Sequence, residues 1–312
     1  MLGKAAIADN AAQNGGSVPN GARRVDDAPN GAHGVDDAAV RAVASAFVAA
    51  RRSATIIADY PGIPPQDLAT AYAMQDCGII LDQRPVGGWK VGRIQPPLDA
   101  TLGYTRLAGP IFAPTIITAH AGTCAMMPVF GGGFAAVEAE LMLHVAHAPA
   151  TDPAQMDDDA ILALMDDVRV GVEMASSPFP GINANGPLVT ISDFGNNYGL
   201  LIGPTLPDWR TRNLAALDAM VAIDGAQVGA NNMLALPGGP LESARFLLAN
   251  LCARGLLGGD GAFAPFWISA GAITGVHEIA PGSRARATFD GQLHVDCMAV
   301  AVERNSTESG GA

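Results

Sequence analysis

Residues 135–146 read AAVEAELMLHVA, and the reading of that stretch decides the fold. The residues alternate with period two, the mark of a β-strand. Side chains two apart on a strand share a face, so Glu138 and Glu140 point the same way, about 7 Å apart at the backbone. On a buried face, two ionised carboxylates would repel each other and carry a large desolvation cost. Three readings are open. A cation neutralises the pair, one carboxyl is protonated, or the face is wet, as polar-out alternation in antiparallel sheets commonly is.

A third acid bears on that choice. Glu173 closes VRVGVEM, another apolar, strand-like run about thirty residues on. Three carboxylates on apolar strands, in a chain with only 15% charged residues, suggest an all-oxygen site suited to Mg²⁺ or Mn²⁺ and not to zinc. His144 shares the strand parity of the glutamates but lies too far along, so a packed or surface histidine is expected there.

Working outward, short strands separated by Gly and Pro occupy the chain after residue 86: GWKVGRI, GPIFAPTII, VRVGVEM, LVTISDF and GLLIG. Asp224-Gly225 and Asp290-Gly291 each sit between alternating runs, a two-residue hairpin signal. A short helix is expected near 156–166, with three aspartates at its start. A longer one is expected in GGPLESARFLLANLCARG, with Pro240 near its start and Gly255 past its end. Upstream, Val40, Val43, Ala44 and Phe47 form a helical stripe. PPQDLATAYAMQDCGIILDQR reads as a second helix, with Pro65 in its first turn and Asp67 at its N-terminus. Strands joined by hairpins, without regularly alternating helices, favour α+β over a doubly wound parallel sheet.

The resulting organisation is a tail at 1–36, a helical N-terminal lobe at 37–85, a β-rich catalytic domain at 86–304 and a short tail at 305–312. Residues 19–38 hold a tandem ten-residue repeat, PNGARRVDDA PNGAHGVDDA, whose composition cannot bury apolar surface, so disorder is expected there. The formal net charge of -12 argues against nucleic acid as a partner. No apolar run is long enough for a membrane span, and the N-terminus does not read as a signal peptide. The four cysteines form no C-x-x-C pair. A cytoplasmic setting is the expectation.

At these residues the chain resembles the fumarylacetoacetate hydrolase superfamily, in the branch of the 2-keto-4-pentenoate hydratases and 2-oxo-3-hexenedioate decarboxylases. The resemblance covers about residues 40–300. It rests on the E-x-E pair in VEAEL, Glu173 in VGVEM, Lys90 in GWKVG, Asp193 in LVTISDFGNNYGLLIG, the helix after GGP, and the closing SAGAITGVHEIAPGSRARATFDG. The resemblance implies a mixed β-barrel-like or β-roll core with a helical N-terminal lobe. It implies Glu138, Glu140 and Glu173 as ligands of Mg²⁺ or Mn²⁺. The substrate would be a small-molecule 2-oxo or 2-hydroxy-dienoic acid whose 1-carboxylate and 2-oxygen chelate the metal. The reaction would be hydration of a 2-hydroxypenta-2,4-dienoate-like compound through an enolate. Decarboxylation of a 2-oxo-enedioate, C–C hydrolysis of an acylpyruvate, and a non-catalytic metal-binding subunit are the alternatives. A homo-oligomer and a place in aromatic catabolism are implied as well.

Individual residues acquire roles in this reading. Lys90 is one of only two lysines beside sixteen arginines. Burial near a metal would lower its pKa and suit it to proton transfer. Asp193 would orient Lys90 or shuttle a proton, or else cap a turn. Asn196 and Asn197 would donate hydrogen bonds to substrate or belong to a turn. Ser269 and Gly271 fall in the late strand that borders the substrate. The loop LGYTRLAGPIF lacks the acidic residue common in the hydratases and carries Arg106 nearby, which would contact a second substrate carboxylate or lie on the surface.

Overall fold

The computed structural model describes residues 37–257 and 263–303. Both expected terminal tails lie outside the described residues. In chain order the elements are α1 (Asp37–Ser53), α2 (Leu68–Asp82), β1 (Val86–Arg93), α3 (Leu98–Leu102), β2 (Arg106–Phe112), β3 (Ile116–Thr118), β4 (Ala125–Val129) and β5 (Phe134–Val145). There follow α4 (Asp158–Ala163), β6 (Met165–Ser177), α5 (Pro187–Ser192), β7 (Asn197–Thr205), β8 (Asp218–Ile223) and β9 (Ala226–Asn232). The chain closes with α6 (Gly239–Ala253), β10 (Phe266–Ala270), β11 (His277–Glu278), β12 (Arg284–Phe289) and β13 (Leu293–Ala301).

The strands form two sheets. The larger runs β2-β1-β10-β5-β6-β7-β3, with β11 also paired to β5, and the smaller runs β4-β13-β12-β8-β9. Val137, Ala139, Leu141, Leu143, Val168, Val170 and Val172 of the larger sheet share one core with Val221, Ala287, Phe289, Val295 and Cys297 of the smaller. The odd-numbered residues of β5 thus pack inward against the second sheet, which commits the even-numbered ones, Glu138 and Glu140 among them, to the other face. The architecture is α+β, with a curled half-barrel sheet and a few helices, as the mixed hairpin pattern of the sequence implies. Among the described residues no helix is long and apolar enough to cross a membrane.

Local signals behave as their chemistry dictates. Asp224 and Gly225 both have positive φ, 50° and 84°, the turn that lets β8 and β9 keep their twist. The second hairpin, β12–β13, turns at Asp290 and Gly291. Asp157 caps α4 by accepting from the Ala160 N–H at 2.8 Å. Two expectations need correction. Pro65 does not enter the first turn of α2: Asp67 is its N-cap, accepting from Thr70 N–H at 2.7 Å, so the helix starts three residues later. The apolar run at 188–191, read as a strand, is the helix α5, because Gly186 with φ 87° and Pro187 at its first position start a helix that the β-branched residues then continue.

Candidate metal centre

The larger sheet assembles the site by register. Glu138 lies directly opposite Glu173 across the β5–β6 ladder, and Glu140 opposite Gly171. Opposed residues on antiparallel strands share a face, so the three carboxylates meet. Each offers an oxygen, and these oxygens lie within 4.8 Å of one another. On the far side of β5, β10 ends at Ala270 opposite Leu141, and β11 resumes at His277 opposite Val137. The strand neighbouring β5 is therefore interrupted beside Glu138 and Glu140. Residues 271–276 bow outward over that gap, held by the Ile273 N–H donating to Ala139 O at 2.9 Å.

β1 pairs in parallel with β10 and places Lys90 in register with Ser269. Its ammonium lies 3.0 Å from Glu173 Oε1 and 4.0 Å from Glu138 Oε2. The face is dry: Glu138, Glu140 and Glu173 are 4%, 1% and 0% exposed. That rules out the solvated-face reading of the E-x-E pair. Burial pushes Glu138 up to about 7, against the attraction of Lys90 and with the help of Glu173. Burial also raises Glu140 well above the ordinary range, reinforced by Glu173 and Glu138. For Lys90, burial works to lower the pKa, but the three carboxylates outweigh it and hold the side chain protonated. The lowered pKa expected for this lysine does not arise while the carboxylates carry their own charge.

The arrangement leaves valences unmet. Glu140 Oε2 and Glu173 Oε2 are buried without a hydrogen-bond partner, as is the Ser269 hydroxyl, and Glu173 Oε1 meets only the Lys90 ammonium. Three carboxylates facing one ammonium carry excess negative charge in a dry place, which is costly without a further cation. The oxygen-only donor set, its compactness and the orphaned oxygens fit a hard divalent ion. Gly271 is part of the same fit: a Cβ there would stand 2.7 Å from the Glu140 carboxyl carbon, so only glycine lets the 271–276 loop close over the acids.

Above the carboxylates opens a cavity of about 550 Å³, lined by Lys90 and Glu138 at one end, by Gly195 and Asn196 on one wall and by Gly271 to Val276 on another. Asn196 donates from Nδ2 to Asn183 Oδ1 at 3.3 Å, and its own Oδ1 is buried and unpaired. The turn that carries it, Phe194–Asn196, has positive φ at all three residues. It presses its backbone onto Gly109 of β2, where any side chain would collide with the Phe194 carbonyl.

Asp193 does not reach Lys90. It is wholly buried and held by Arg51 of α1, whose Nε donates to Oδ1 at 2.5 Å and Nη2 to Oδ2 at 2.8 Å, while Ser177 Oγ donates to Oδ2 at 2.6 Å. Arg51 also donates to the carbonyls of Ser176 and Asn197 and lies over the Phe194 ring at 5.2 Å. The pair ties the ends of β6 and β7 to the turn that bears Asn196. Asp193 is a structural anchor in this arrangement, not a partner of Lys90, because Arg51 and Ser177 hold both of its oxygens. Asn197 faces this knot, and neither it nor Ser269 is among the residues lining the cavity.

Arg106 is likewise turned away from the cavity. Its guanidinium donates to Pro237 O, to Ser243 Oγ at 3.3 Å and to Thr105 Oγ1 at 3.3 Å. The arginine on the cavity wall is Arg93, which the sequence reading passed over. His144 pairs with Asp166 at 2.5 Å and stacks near Trp267, at the distant end of β5.

No protein-family model matches the chain, and no curated protein does. Solved structures do, and they show the class of fold. In particular, the chain is similar to 4-oxalocrotonate decarboxylase from Pseudomonas putida G7, in a structure complexed with magnesium and adipate. The TM-score is 0.69 at 20% identity, covering 86% of this chain and 100% of that one. A structure of the same decarboxylase complexed with calcium and acetate gives 0.68 at 19% identity, with the same coverage.

Proposed function

We propose that this chain is a divalent-metal-dependent lyase acting on a 2-oxo or 2-hydroxy-dienoic acid, adding water to a 2-hydroxypenta-2,4-dienoate-like substrate. The observation that carries this reading is the cluster of three buried carboxylates, Glu138, Glu140 and Glu173, with unpartnered oxygens on Glu140 and Glu173 and with Glu138 lining a cavity. These three residues would hold Mg²⁺ or Mn²⁺. When bound, the ion would supply Lewis-acid polarisation of an α-oxo acid.

The remaining work falls to the chain. Once the charge of the three carboxylates is taken up, burial alone acts on Lys90, and burial lowers an ammonium pKa. Lys90 then becomes a group that can give and take a proton at the substrate carbon nearest its Nζ. Asn196 lines the cavity with its Oδ1 unpaired, and would accept a hydrogen bond from a substrate hydroxyl or attacking water. The 271–276 segment roofs the carboxylates and keeps bulk water from them.

Decarboxylation of a 2-oxo-enedioate is the second reading. It is supported by the decarboxylase of similar fold, a protein seen with a dicarboxylate. Incubation with 2-hydroxypenta-2,4-dienoate and with 2-oxo-3-hexenedioate, each with Mg²⁺ or Mn²⁺, separates the two. Loss of the dienol absorbance without CO₂ is the expected result, and CO₂ release selects the second reading. Silence with both compounds refutes the lyase assignment. Lys90→Met should leave metal binding near the parent value and slow turnover; an unchanged kcat removes Lys90 from the mechanism.

A further inference from the structure

The cavity is larger than a bare five-carbon acid requires. Such a hydroxy-dienoic acid has roughly eight non-hydrogen atoms and, at about 30 Å³ for each water-sized group, fills about 240 Å³. The cavity holds about 550 Å³. Strand parity sets the chemistry of the surplus. Lys90 and Gly92 share one face of β1. Leu107 stands opposite Gly92 across the β1–β2 ladder, on that same face. The Ile94 N–H donates to Thr105 O at 2.9 Å and carries the alternation one step further. Ile94 and Leu107 pack together with Ala71 and Ile191, and both line the cavity, as Lys90 and Gly92 do. From the ammonium outward, this strand face therefore carries no polar side chain. Arg93, which also borders the cavity, has the other parity and shares the opposite face of the ladder with Arg106.

Gly92 is the telling position. Glycine weakens a strand interior and commonly marks a close approach of backbone or ligand. Elsewhere in this sheet the backbone demands it: an added Cβ would meet a carbonyl oxygen at 2.9 Å at Gly88, 2.3 Å at Gly109 and 2.6 Å at Gly171. At Gly92 the three nearest atoms all belong to side chains, Leu107 Cδ1 at 3.3 Å, Leu107 Cγ at 3.5 Å and Lys90 Cε at 3.6 Å. Packing thus leaves room for a side chain at Gly92. The sequence keeps that room empty, on a cavity wall, between Leu107 and the stem of Lys90. At other points of the lining, Leu98 and Val276 are 43% and 50% exposed, apolar surface that folding has left uncovered.

We propose that Gly92 is a chain-length determinant: the space it vacates, walled by Leu107 and Ile94, takes an uncharged alkyl tail carried beyond the fifth carbon of the acid. The acid end lies beside Glu138 and Lys90. The tail runs outward along β1 toward Ile94, with about 7 Å of strand between each residue of this face and the next. A carboxylate on that tail would lose its hydration against Leu107 and Ile94, with no cation on their face to replace it. This inference rests on the metal-centre reading and extends its substrate from a bare five-carbon dienoate to longer, singly charged homologues.

The test is calorimetric titration of the full chain, with Mn²⁺ alone first. The Mn²⁺-loaded protein is then titrated with 2-oxopentanoate, 2-oxohexanoate, 2-oxooctanoate and 2-oxohexanedioate. Each buried methylene is worth about fourfold in affinity, so 2-oxooctanoate should bind about 60-fold more tightly than 2-oxopentanoate. The diacid should bind more weakly than 2-oxohexanoate. Gly92→Ala should make the series shallower and Gly92→Val should flatten it, with thermal melts showing that each variant is folded. Should Gly92→Val fail to fold, the slope in Gly92→Ala decides. A flat series in the parent chain, a diacid preferred over 2-oxohexanoate, or an undiminished slope in a folded variant overturns the chain-length role while leaving the metal centre standing. Absence of Mn²⁺ binding in the first titration overturns the metal centre, and the chain-length role falls with it.

Discussion

Gly271→Ala tests the metal centre without touching a ligand. An added Cβ would lie 2.7 Å from Glu140 Cδ and 2.7 and 2.8 Å from its two oxygens. Ordinary van der Waals contact begins at 3.4 Å, so the carboxylate must retreat by about 0.7 Å. The carboxylate is the free end of a flexible side chain, so the fold absorbs the change. A coordination site does not, because its ligand distances hold to about 0.2 Å. Displacing a metal-orienting contact typically costs 10- to 100-fold in affinity, or about 1.4–2.7 kcal/mol. The assay is Mn²⁺ titration by calorimetry, with a thermal melt in chelator to show that the metal-free fold is retained. Glu140→Gln should weaken binding as well. Because both changes act through one carboxylate, the double variant should lose less than the two losses combined. Parent-like Mn²⁺ affinity in a folded Gly271→Ala protein would refute the proposed geometry.

Four further outcomes follow from the same structure. Glu138 is raised from its ordinary value to about 7, and a metal needs it ionised. Mn²⁺ affinity should therefore be level above about pH 8 and fall by up to about tenfold per pH unit below 7; a flat profile from pH 5.5 to 8.5 contradicts this. The same raised pKa stabilises the metal-free protein at pH below the unfolded value of 4.5, and this contribution is lost as pH rises through about 7. Chelator-treated protein should thus melt at a lower temperature at pH 8 than its Glu138→Gln variant does. Arg51→Met leaves the buried Asp193 carboxylate unpaired and should cost about 3–5 kcal/mol in denaturant unfolding, with Arg51→Met/Asp193→Asn recovering part; a loss under about 1 kcal/mol would show that the pair is not an anchor. Burial pushes the Cys297 thiol up to about 12, so a thiol reagent at pH 8 should modify exposed Cys124 in the native protein and Cys297 only after unfolding; rapid native labelling of Cys297 contradicts its placement.

The parts of this molecule that were legible in the sequence are those set by short-range geometry. Strand parity placed Glu138 and Glu140 on one face, and the Asp-Gly pairs marked both hairpins. What sequence could not resolve was whether that face is dry, because dryness depends on the register that sets Glu173 opposite Glu138 and on the break between β10 and β11. The apolar run at 188–191 misled because β-branched residues favour strands, whereas Gly186 and Pro187 before it are helix-start signals of greater local force. Asp193 misled for a different reason. Its partner Arg51 lies 142 residues away, in the last turn of an amphipathic helix where a solvated arginine is the ordinary expectation. Arg106 misled because its partners lie far along the chain. Only the positions of Ser243 and Pro237 show that its guanidinium is consumed away from the cavity.

The central claim is that three carboxylates from two adjacent strands hold one divalent ion beside the cavity that Glu138 lines. Anomalous diffraction from crystals soaked in Mn²⁺ addresses it without any assumption about substrate. The account predicts one strong peak bonded to oxygens of Glu138, Glu140 and Glu173, close to Lys90 but not bonded to it. No peak there at saturating Mn²⁺, or ordered Mn²⁺ only at other carboxylates, would contradict it.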